Sequence, residues 1–204
     1  MARWDQSGCL SPVVVYAVNL ASNEVRSLAA AISACLEERS VSMPRGVIEP
    51  ETLVSIANER SGARMRLAGT DGMIFEGSEH TVVLEIDAEP RPAPLSRFLR
   101  IMPVDSEEMF IRSIEHFSGH ISCVSIAGLS GIDNPPTAPP TANQRSTDVD
   151  FASTESILER LTYLGISRVT KPGRSQTPPI DWPHDGLPVF TPVARFIQSD
   201  FIGL

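Results

Sequence analysis

The sequence predicts an α/β fold with a mainly parallel sheet, and three observations support this prediction. Apolar, β-branched runs that suit strands recur at residues 13–18, 80–87, 98–104 and 121–126. Amphipathic helical segments lie between several of these runs, and strands that alternate with helices form parallel sheets. The chain has 204 residues and is long enough to bury a sizeable core without disulfides or a metal.

The first strand is expected at residues 13–18, where an unbroken apolar run is typical of a strand buried on both faces. A helix is expected to follow, with Ser22 as the N-cap, Glu24 in the first turn and an end near Arg39. Its apolar residues recur at helical spacing: Val25, Leu28, Ala29, Ile32 and Leu36. This pattern predicts an amphipathic helix that covers the sheet.

A second helix is predicted from Pro50 to about Arg60, because proline favours the first turn of a helix. Gly62 is expected to end it. The expected buried face consists of Leu53, Ile56 and Ala57. A proline-rich stretch at residues 90–94 then connects the strands at 80–87 and 98–104 across a surface.

A third helix is expected to begin with Asp105 and Glu108, which are spaced as in a capping box. Val104 and Met109 are spaced for a hydrophobic staple at the same end. The expected buried face consists of Met109, Phe110, Ile114 and Phe117. A short strand at residues 121–126 should follow this helix.

Residues 128–150 are rich in Pro, Thr, Ser and Asn, which predicts a long exposed loop or linker. A fourth helix is expected at residues 153–164, stopped by Gly165, with a strand at 166–169 and a last helical stretch at 192–201. The chain is thus expected to have three parts: residues 1–127, residues 128–150 and residues 151–204.

Composition excludes several classes of protein. The chain has 17 basic and 25 acidic residues and a formal net charge of −8, which argues against a nucleic acid or an anionic membrane as the main partner. No apolar run approaches the roughly 18 residues that a membrane-spanning helix needs. The N-terminus lacks the pattern of a secretory signal, so a cytoplasmic location is expected.

No metal site is predicted. The three cysteines are widely spaced and form no ligand pair with a histidine. His116 and His120 have the spacing of a helical zinc-binding pair, but Gly119 and the strand at 121–126 argue against one continuous helix there.

Cys9 is the candidate nucleophile, because it lies in a turn of small residues, QSGCLSP at 6–12, directly before a strand. A thiol reacts as the thiolate, and exposed backbone amides in a tight turn both favour that form and hold an oxyanion. The alternative is a small buried hydrophobe near a chain end. Cys35 and Cys123 lie in apolar patterns and are expected to be inert core residues.

Residues 6–16 resemble the nucleophile segment of the acyl-CoA reductases, relatives of the aldehyde dehydrogenases that include the fatty-acid reductase of bacterial bioluminescence. The C-terminal part is similar to the closing pattern of that family, in GISRV at 165–169, PGR at 172–174, Trp182 and HDG at 184–186, followed by a helical stretch at 193–197. Residues 98–127, which are expected to form a strand, a helix and a second strand, resemble the corresponding part of the family more weakly.

The resemblance implies a layered α/β catalytic domain of aldehyde-dehydrogenase type, in which residues 1–127 begin at the nucleophile turn. It also implies NADPH-dependent reduction of long-chain fatty acyl-CoA to fatty aldehyde, through a thioester on Cys9. In the family a cofactor domain precedes the nucleophile, whereas only eight residues precede Cys9 here. The N-terminal cofactor domain is therefore expected to be missing, and a cofactor-domain polypeptide or a second copy of the chain is an expected partner.

Other site residues follow less directly. His184 beside Asp185 is a candidate substrate-site residue, and the alternative is a rigid turn that packs under Trp182. Arg97 and Arg100 lie where the superfamily places a ribose-binding glutamate, and they are interpreted either as phosphate contacts or as solvated residues beside a strand. No glycine-rich dinucleotide motif is present in the sequence, so the cofactor-binding residues are unknown.

Two further functions remain open. The first is a non-catalytic remnant or interaction subunit of an aldehyde-dehydrogenase-like protein, which the absence of a cofactor domain and the long loop at 128–150 favour. The second is a thiol acyltransferase that needs no NADPH. The reductase interpretation implies that the chain is not active alone.

Overall fold

The computed structural model describes residues 1–128 and 151–187. It divides the chain into two compact units, Met1–His116 and Phe117–Leu204. Most of the predicted loop at 128–150, from residue 129 onward, and the predicted helical stretch at 192–201 lie outside the described residues.

The first unit contains a four-stranded mixed sheet. Its strands are β1 (Val14–Val18), β2 (Met73–Glu76), β3 (Thr81–Leu84) and β4 (Phe98–Val104). Their order is β1-β4-β3-β2, and β4 pairs in parallel with both β1 and β3, whereas β2 is antiparallel to β3. The predicted α/β fold with a mainly parallel sheet is confirmed.

The first strand is less buried than its sequence suggests. β1 was expected to be covered on both faces, but it forms one end of the described sheet, and within it only Ala17 is buried. The strands with continuous burial are β3 and the greater part of β4, which lie at the centre of the order. An unbroken apolar run thus indicates a parallel strand but not its place in the sheet.

Helices cover both faces of this sheet. Helix α1 (Ser22–Ser42) packs against Val82 and Leu99, and helix α2 (Pro50–Leu67) packs against Val83 and Phe98. Because neighbouring strand residues point to opposite faces, α1 and α2 lie on opposite sides of the sheet. The first unit therefore has a core on each side of β3 and β4.

Both of these helices differ in detail from the prediction. The N-cap of α1 is Ala21 rather than Ser22, and the carboxylate of Glu24 accepts a hydrogen bond of 2.8 Å from the Ala21 N–H. Helix α2 does not end before Gly62, because Ala63 and Leu67 are buried against the sheet. Their burial offsets the cost of an internal glycine, about 1 kcal/mol. Of the expected α2 face only Ile56 is buried, whereas Leu53 and Ala57 are exposed.

Helix α3 (Glu107–Glu115) begins one residue later than the capping pattern suggests. Its N-cap is Ser106, whose hydroxyl accepts a hydrogen bond of 3.2 Å from the N–H of Met109. The buried residues are Phe110, Ile111 and Ile114, whereas Met109 and Phe117, which were expected to be buried, are exposed. Since α3 ends at Glu115, the prediction that His116 and His120 do not share a helix is confirmed.

The second unit contains helix α4 (Phe151–Tyr163) and two short parallel strands, β5 (Cys123–Ser125) and β6 (Arg168–Thr170). Gly165, with a φ of 81°, follows the end of α4, as expected for a glycine that stops a helix. Among its described residues, the buried apolar ones are Ile157, Leu161, Ile166 and Trp182. Across the described ranges of both units, no helix is long and apolar enough to cross a membrane.

Candidate functional site

Cys9 lies at the centre of a tight turn directly before β1. The N–H of Ser11 donates to the carbonyl of Gly8 over 2.9 Å, which places Cys9 and Leu10 at the two central positions of a β-turn. The Leu10 side chain is buried, whereas Cys9 is exposed. The backbone N–H groups of Cys9 and Leu10 donate to no residue that the structure describes. The turn therefore presents an exposed thiol beside two backbone N–H groups that are available in the sense that no described residue accepts from them.

The segment before this turn is held from two sides. Asp5 and Gln6 both have left-handed backbone conformations, with φ values of 48° and 65°. The Asp5 carboxylate accepts 2.6 Å and 3.0 Å hydrogen bonds from the Nε of Arg97 and the N–H of Gly46. The Gln6 side chain is buried and bonds to the beginning of β4. Residues far away in the sequence thus fix the position of the Cys9 turn.

Arg97 is a buried structural residue, so both of its sequence interpretations were wrong. It neither meets a phosphate nor lies at a solvated edge, because its guanidinium is 1% exposed and surrounded by acceptors. The acceptors are the carboxylates of Asp5 and Glu79, the hydroxyl of Ser40 and the carbonyls of Ala2 and Met43. A guanidinium with this many protein partners has no donor left for a ligand.

Arg100 is also buried and paired, contrary to both interpretations. Its Nη1 lies 2.5 Å from the carboxylate of Glu85, and both side chains are 1% exposed. Its Nη2 lies 2.9 Å from Glu59 and donates to the carbonyl of Pro92 over 2.7 Å. Burial raises the pKa of Glu59, but the hydrogen bonds from Arg100 and Arg66 outweigh it and hold the pKa below its ordinary value.

This ion cluster supports an unusual connection in the sheet. Parallel neighbours such as β3 and β4 are usually joined through a helix, but residues 85–97 form none. Glu85 at the start of the connection binds Arg100 of β4, and Arg100 in turn binds the carbonyl of Pro92. The connection therefore depends on buried charges where a helix would have provided apolar contacts.

A second polar cluster surrounds His80, which lies against α1. Its Nε2 is 2.8 Å from the hydroxyl of Ser33, and its Nδ1 is 3.4 Å from the carboxylate of Glu37. A Cβ atom at Gly77 would lie only 2.0 Å from the ring, so no larger residue fits there without movement. Burial lowers the pKa of His80, against an opposing effect of Glu37, and thereby favours the neutral ring.

The three cysteines have different environments. Cys35 was expected to be a core residue, but it is exposed on α1, because the buried stripe of that helix consists of Val25, Ala29 and Leu36. Cys123 is half-buried, and burial raises the pKa of its thiol. Cys9 and Cys35 are therefore the two exposed thiols, and only Cys9 lies in a turn with available backbone donors.

His184 lies in the second unit, in a short 3-10 turn. Its Nδ1 is 2.9 Å from the carboxylate of Asp185, and its ring centroid is 4.9 Å from that of Trp182 in an edge-to-face contact. Asp185 also accepts a 2.7 Å hydrogen bond from Ser122. These contacts agree with the interpretation of residues 184–186 as a rigid turn that packs against Trp182. The substrate-site role of His184 stays a prediction.

The same unit contains the arginine-bearing strand of the C-terminal motif, β6, which is half-buried. Arg168 donates to the carbonyls of Ser175 and Arg174 over 2.6 Å and 2.9 Å, and its guanidinium lies 5.6 Å from the Trp182 ring. The indole N–H of Trp182 donates to the carbonyl of Ser167. Arg168 and Trp182 thus order the turn-rich segment that follows β6.

Two other features of the described ranges concern metal and anion binding. No group of three or more His, Cys, Asp or Glu side chains in those ranges is arranged to hold a metal ion. A groove of about 300 Å³ beside α2 is lined in part by Arg45, Arg60 and Arg64. Arg60 and Arg64 both pair with Glu76, and Arg45 donates to the carbonyl of Glu79, so these arginines already have protein partners.

Three important polar residues were missed at the sequence level: Gln6, Glu85 and His80. A signal existed for Glu85, because it and Arg100 are opposite charges inside two neighbouring apolar runs, and buried charges occur in pairs. No local signal identifies Gln6, since its partner Phe98 is distant in the sequence. His80 was included in a predicted strand without a role.

One comparison with known proteins gives a family. The model of the family described as acyl-CoA reductase (LuxC) matches residues 1–134 of the 204-residue chain. The matched segment includes the Cys9 turn, the four-stranded sheet and helices α1 to α3, but not His184. No curated protein matches the sequence.

Proposed function

The chain belongs to the acyl-CoA reductase (LuxC) family, and on that premise we propose that Cys9 accepts the acyl group of a long-chain fatty acyl-CoA as a thioester. The observation that carries the proposal is the Cys9 turn, in which an exposed thiol and two available backbone N–H groups occupy the central positions. Exposure allows the thioester of a substrate to reach the sulfur. The family match includes this turn.

The acyl transfer follows from the chemistry of the turn. The Cys9 thiolate attacks the carbonyl carbon of the thioester, and negative charge develops on the carbonyl oxygen. The N–H groups of Cys9 and Leu10 are the donors proposed to stabilise that oxygen. When the bond between the carbonyl carbon and the coenzyme A sulfur breaks, the acyl group stays on Cys9, and coenzyme A leaves and takes up the proton that the Cys9 thiol gave up.

NADPH is the cofactor that the resemblance implies, and it supplies a hydride when it is bound. The described residues do not fit it. The turn between β1 and α1 consists of Asn19, Leu20 and Ala21 and has no glycine for close approach of a pyrophosphate. Arg97 and Arg100 are buried and paired with carboxylates. The proposal for these residues therefore ends at the acyl-enzyme.

Formation of fatty aldehyde by this chain is the further part of the proposal. It needs a dinucleotide site on another part of the protein, on a cofactor-domain polypeptide or on a partner copy. A cytoplasmic location and a substrate-site role for His184 belong to the same proposal. The exposed imidazole of His184 and its carboxylate neighbour support that role.

The test is the release of coenzyme A on mixing the protein with palmitoyl-CoA, measured by chromatography within a single turnover. A stoichiometric release is expected for the wild type and for Cys35→Ala, which removes the other exposed thiol. Cys9→Ala should abolish it. Equal release from Cys9→Ala would contradict the proposal.

One observation favours the non-catalytic alternative, in which the chain is an interaction subunit. The part of the chain that the structure describes offers no cradle for NADPH. In that case palmitoyl-CoA would release no coenzyme A, and the alkylation rate of Cys9 would equal that of Cys35. The release of coenzyme A, together with the alkylation rates of the two thiols, therefore separates the two functions.

A further inference from the structure

Gln6 joins both ends of the Cys9 turn to the sheet. Its side-chain oxygen accepts a 2.8 Å hydrogen bond from the N–H of Phe98, and its side-chain nitrogen donates over 2.8 Å to the Phe98 carbonyl. The same nitrogen donates over 2.8 Å to the carbonyl of Pro12. The side chain is 2% exposed, so water does not compete for these bonds. One amide thus closes residues 6–12 into a loop and fixes that loop to the beginning of β4.

The backbone around Gln6 is strained on both sides of this contact. Asp5 and Gln6 have φ values of 48° and 65°, and Leu95, Ser96 and Arg97 have φ values of 62°, 54° and 68°. Each non-glycine residue in this region costs about 1–2 kcal/mol. Such strain persists only where surrounding contacts determine it, and it is concentrated at functional sites.

Those contacts are side-chain bonds between the two strained segments. Arg97 binds the carboxylate of Asp5, and Phe98, directly after Arg97, binds the amide of Gln6. Neither segment has regular secondary structure to hold its conformation. The position of Cys9 relative to β4 therefore depends on these bonds rather than on local propensity.

We propose that Gln6 is the positioning residue of the Cys9 turn, a role that rests on the proposed function of Cys9 as the acyl acceptor. Gln6 is buried and need not touch the substrate. It acts by holding the Cys9 thiol and the N–H groups of Cys9 and Leu10 in one fixed arrangement. A misplacement of about 1 Å at a reacting group lowers a rate by as much as about 100-fold.

The test separates positioning from simple stabilisation. Gln6→Met keeps the approximate size of the side chain but removes all three hydrogen bonds. Val25→Ala is the control, because it removes buried side-chain volume on α1, in an apolar cluster that does not include Phe98, the partner of Gln6. Two rates are measured at several pH values: palmitoyl transfer from palmitoyl-CoA, and alkylation of Cys9 by iodoacetamide. Cys35 in the same molecule is the internal reference for alkylation, since it is also exposed.

Gln6→Met is expected to lower palmitoyl transfer to Cys9 by at least about 10-fold and to change the pH profile of Cys9 alkylation relative to Cys35. Val25→Ala should leave both rates at the wild-type values. Asp5→Asn serves as a second variant that loosens the same turn and leaves Arg97 its partner Glu79. It should lower transfer in the same direction.

The role of Gln6 is overturned if folded Gln6→Met and Asp5→Asn transfer palmitate as fast as the wild type and show its alkylation profile. A wild-type protein that accepts no palmitate on Cys9 refutes the proposed function instead. Since that outcome is seen in the wild type and the other only in the variants, the two failures are distinguishable.

Discussion

The buried carboxylate of Glu85 gives the most demanding test of the fold. It lies 2.5 Å from Arg100, 3.1 Å from Arg66 and 3.9 Å from Arg91, and it is 1% exposed. Glu85→Gln keeps the size of the side chain and removes its charge. The three arginines would then share fewer negative partners at the connection between β3 and β4.

Removing one partner of a buried ion pair costs about 3–5 kcal/mol, because the other charge stays buried without compensation. Arg100 keeps its contact with Glu59 at 2.9 Å, and Arg66 and Arg91 are partly exposed to water. The lower end of this range, about 3 kcal/mol, is therefore expected for Glu85→Gln.

Urea denaturation followed by circular dichroism measures the loss as a lower midpoint at an unchanged m value. Asp71→Asn is the matched control, because the Arg26–Asp71 pair is 44% and 88% exposed, and such pairs contribute about 0–1 kcal/mol. If both variants lose the same small amount of stability, the Glu85 cluster is hydrated and does not support the connection at residues 85–97.

Three further predictions concern the remaining polar clusters. Gly77→Ala should lower the free energy of unfolding by about 1–3 kcal/mol, because its Cβ would lie 2.0 Å from the His80 ring. An unchanged midpoint of urea denaturation would show that the ring moves aside. Because burial lowers the pKa of His80, its contribution to stability is complete above the ordinary pKa of 6.5 and is lost as the pH falls through the lower folded value. Urea midpoints of the wild type should therefore fall over this range more steeply than those of His80→Gln, and parallel curves would contradict the reasoning. Arg168→Met should speed amide hydrogen exchange at residues 174–177 and leave α1 unaffected, because the carbonyls of Arg174, Ser175 and Thr177 lose their donor. Equal protection in the variant and the wild type would show that Arg168 does not order that segment.

The sequence was informative where a local pattern and burial agree. The strand at residues 98–104 was predicted with the bounds that the structure shows, because its apolar run lies at the centre of the sheet. Strand β2 was not predicted, since it has only four residues and is partly exposed. The end of α2 was misplaced because tertiary burial of Leu67 outweighs the local effect of Gly62.

The candidate site likewise contains features that a local sequence pattern reveals and features that it does not. The turn at Cys9 follows from small residues before a strand, and it was recognisable from the sequence. The residues that fix it, Gln6 and Arg97, act through partners that are distant along the chain, which no local pattern reveals. Arg97 and Arg100 were misinterpreted because an arginine in or beside a strand is usually solvated, whereas here both are buried and paired with carboxylates.

The most direct test of the central claim is a peptide map of acyl groups after incubation with palmitoyl-CoA. The protein is quenched in acid, digested and analysed by mass spectrometry, with neutral hydroxylamine to identify thioesters. Palmitate is expected on Cys9 alone, in a form that hydroxylamine releases, and not on Cys9→Ala. Palmitate divided between Cys9 and Cys35, or palmitate on neither thiol, would contradict the assignment of Cys9 as the acyl acceptor.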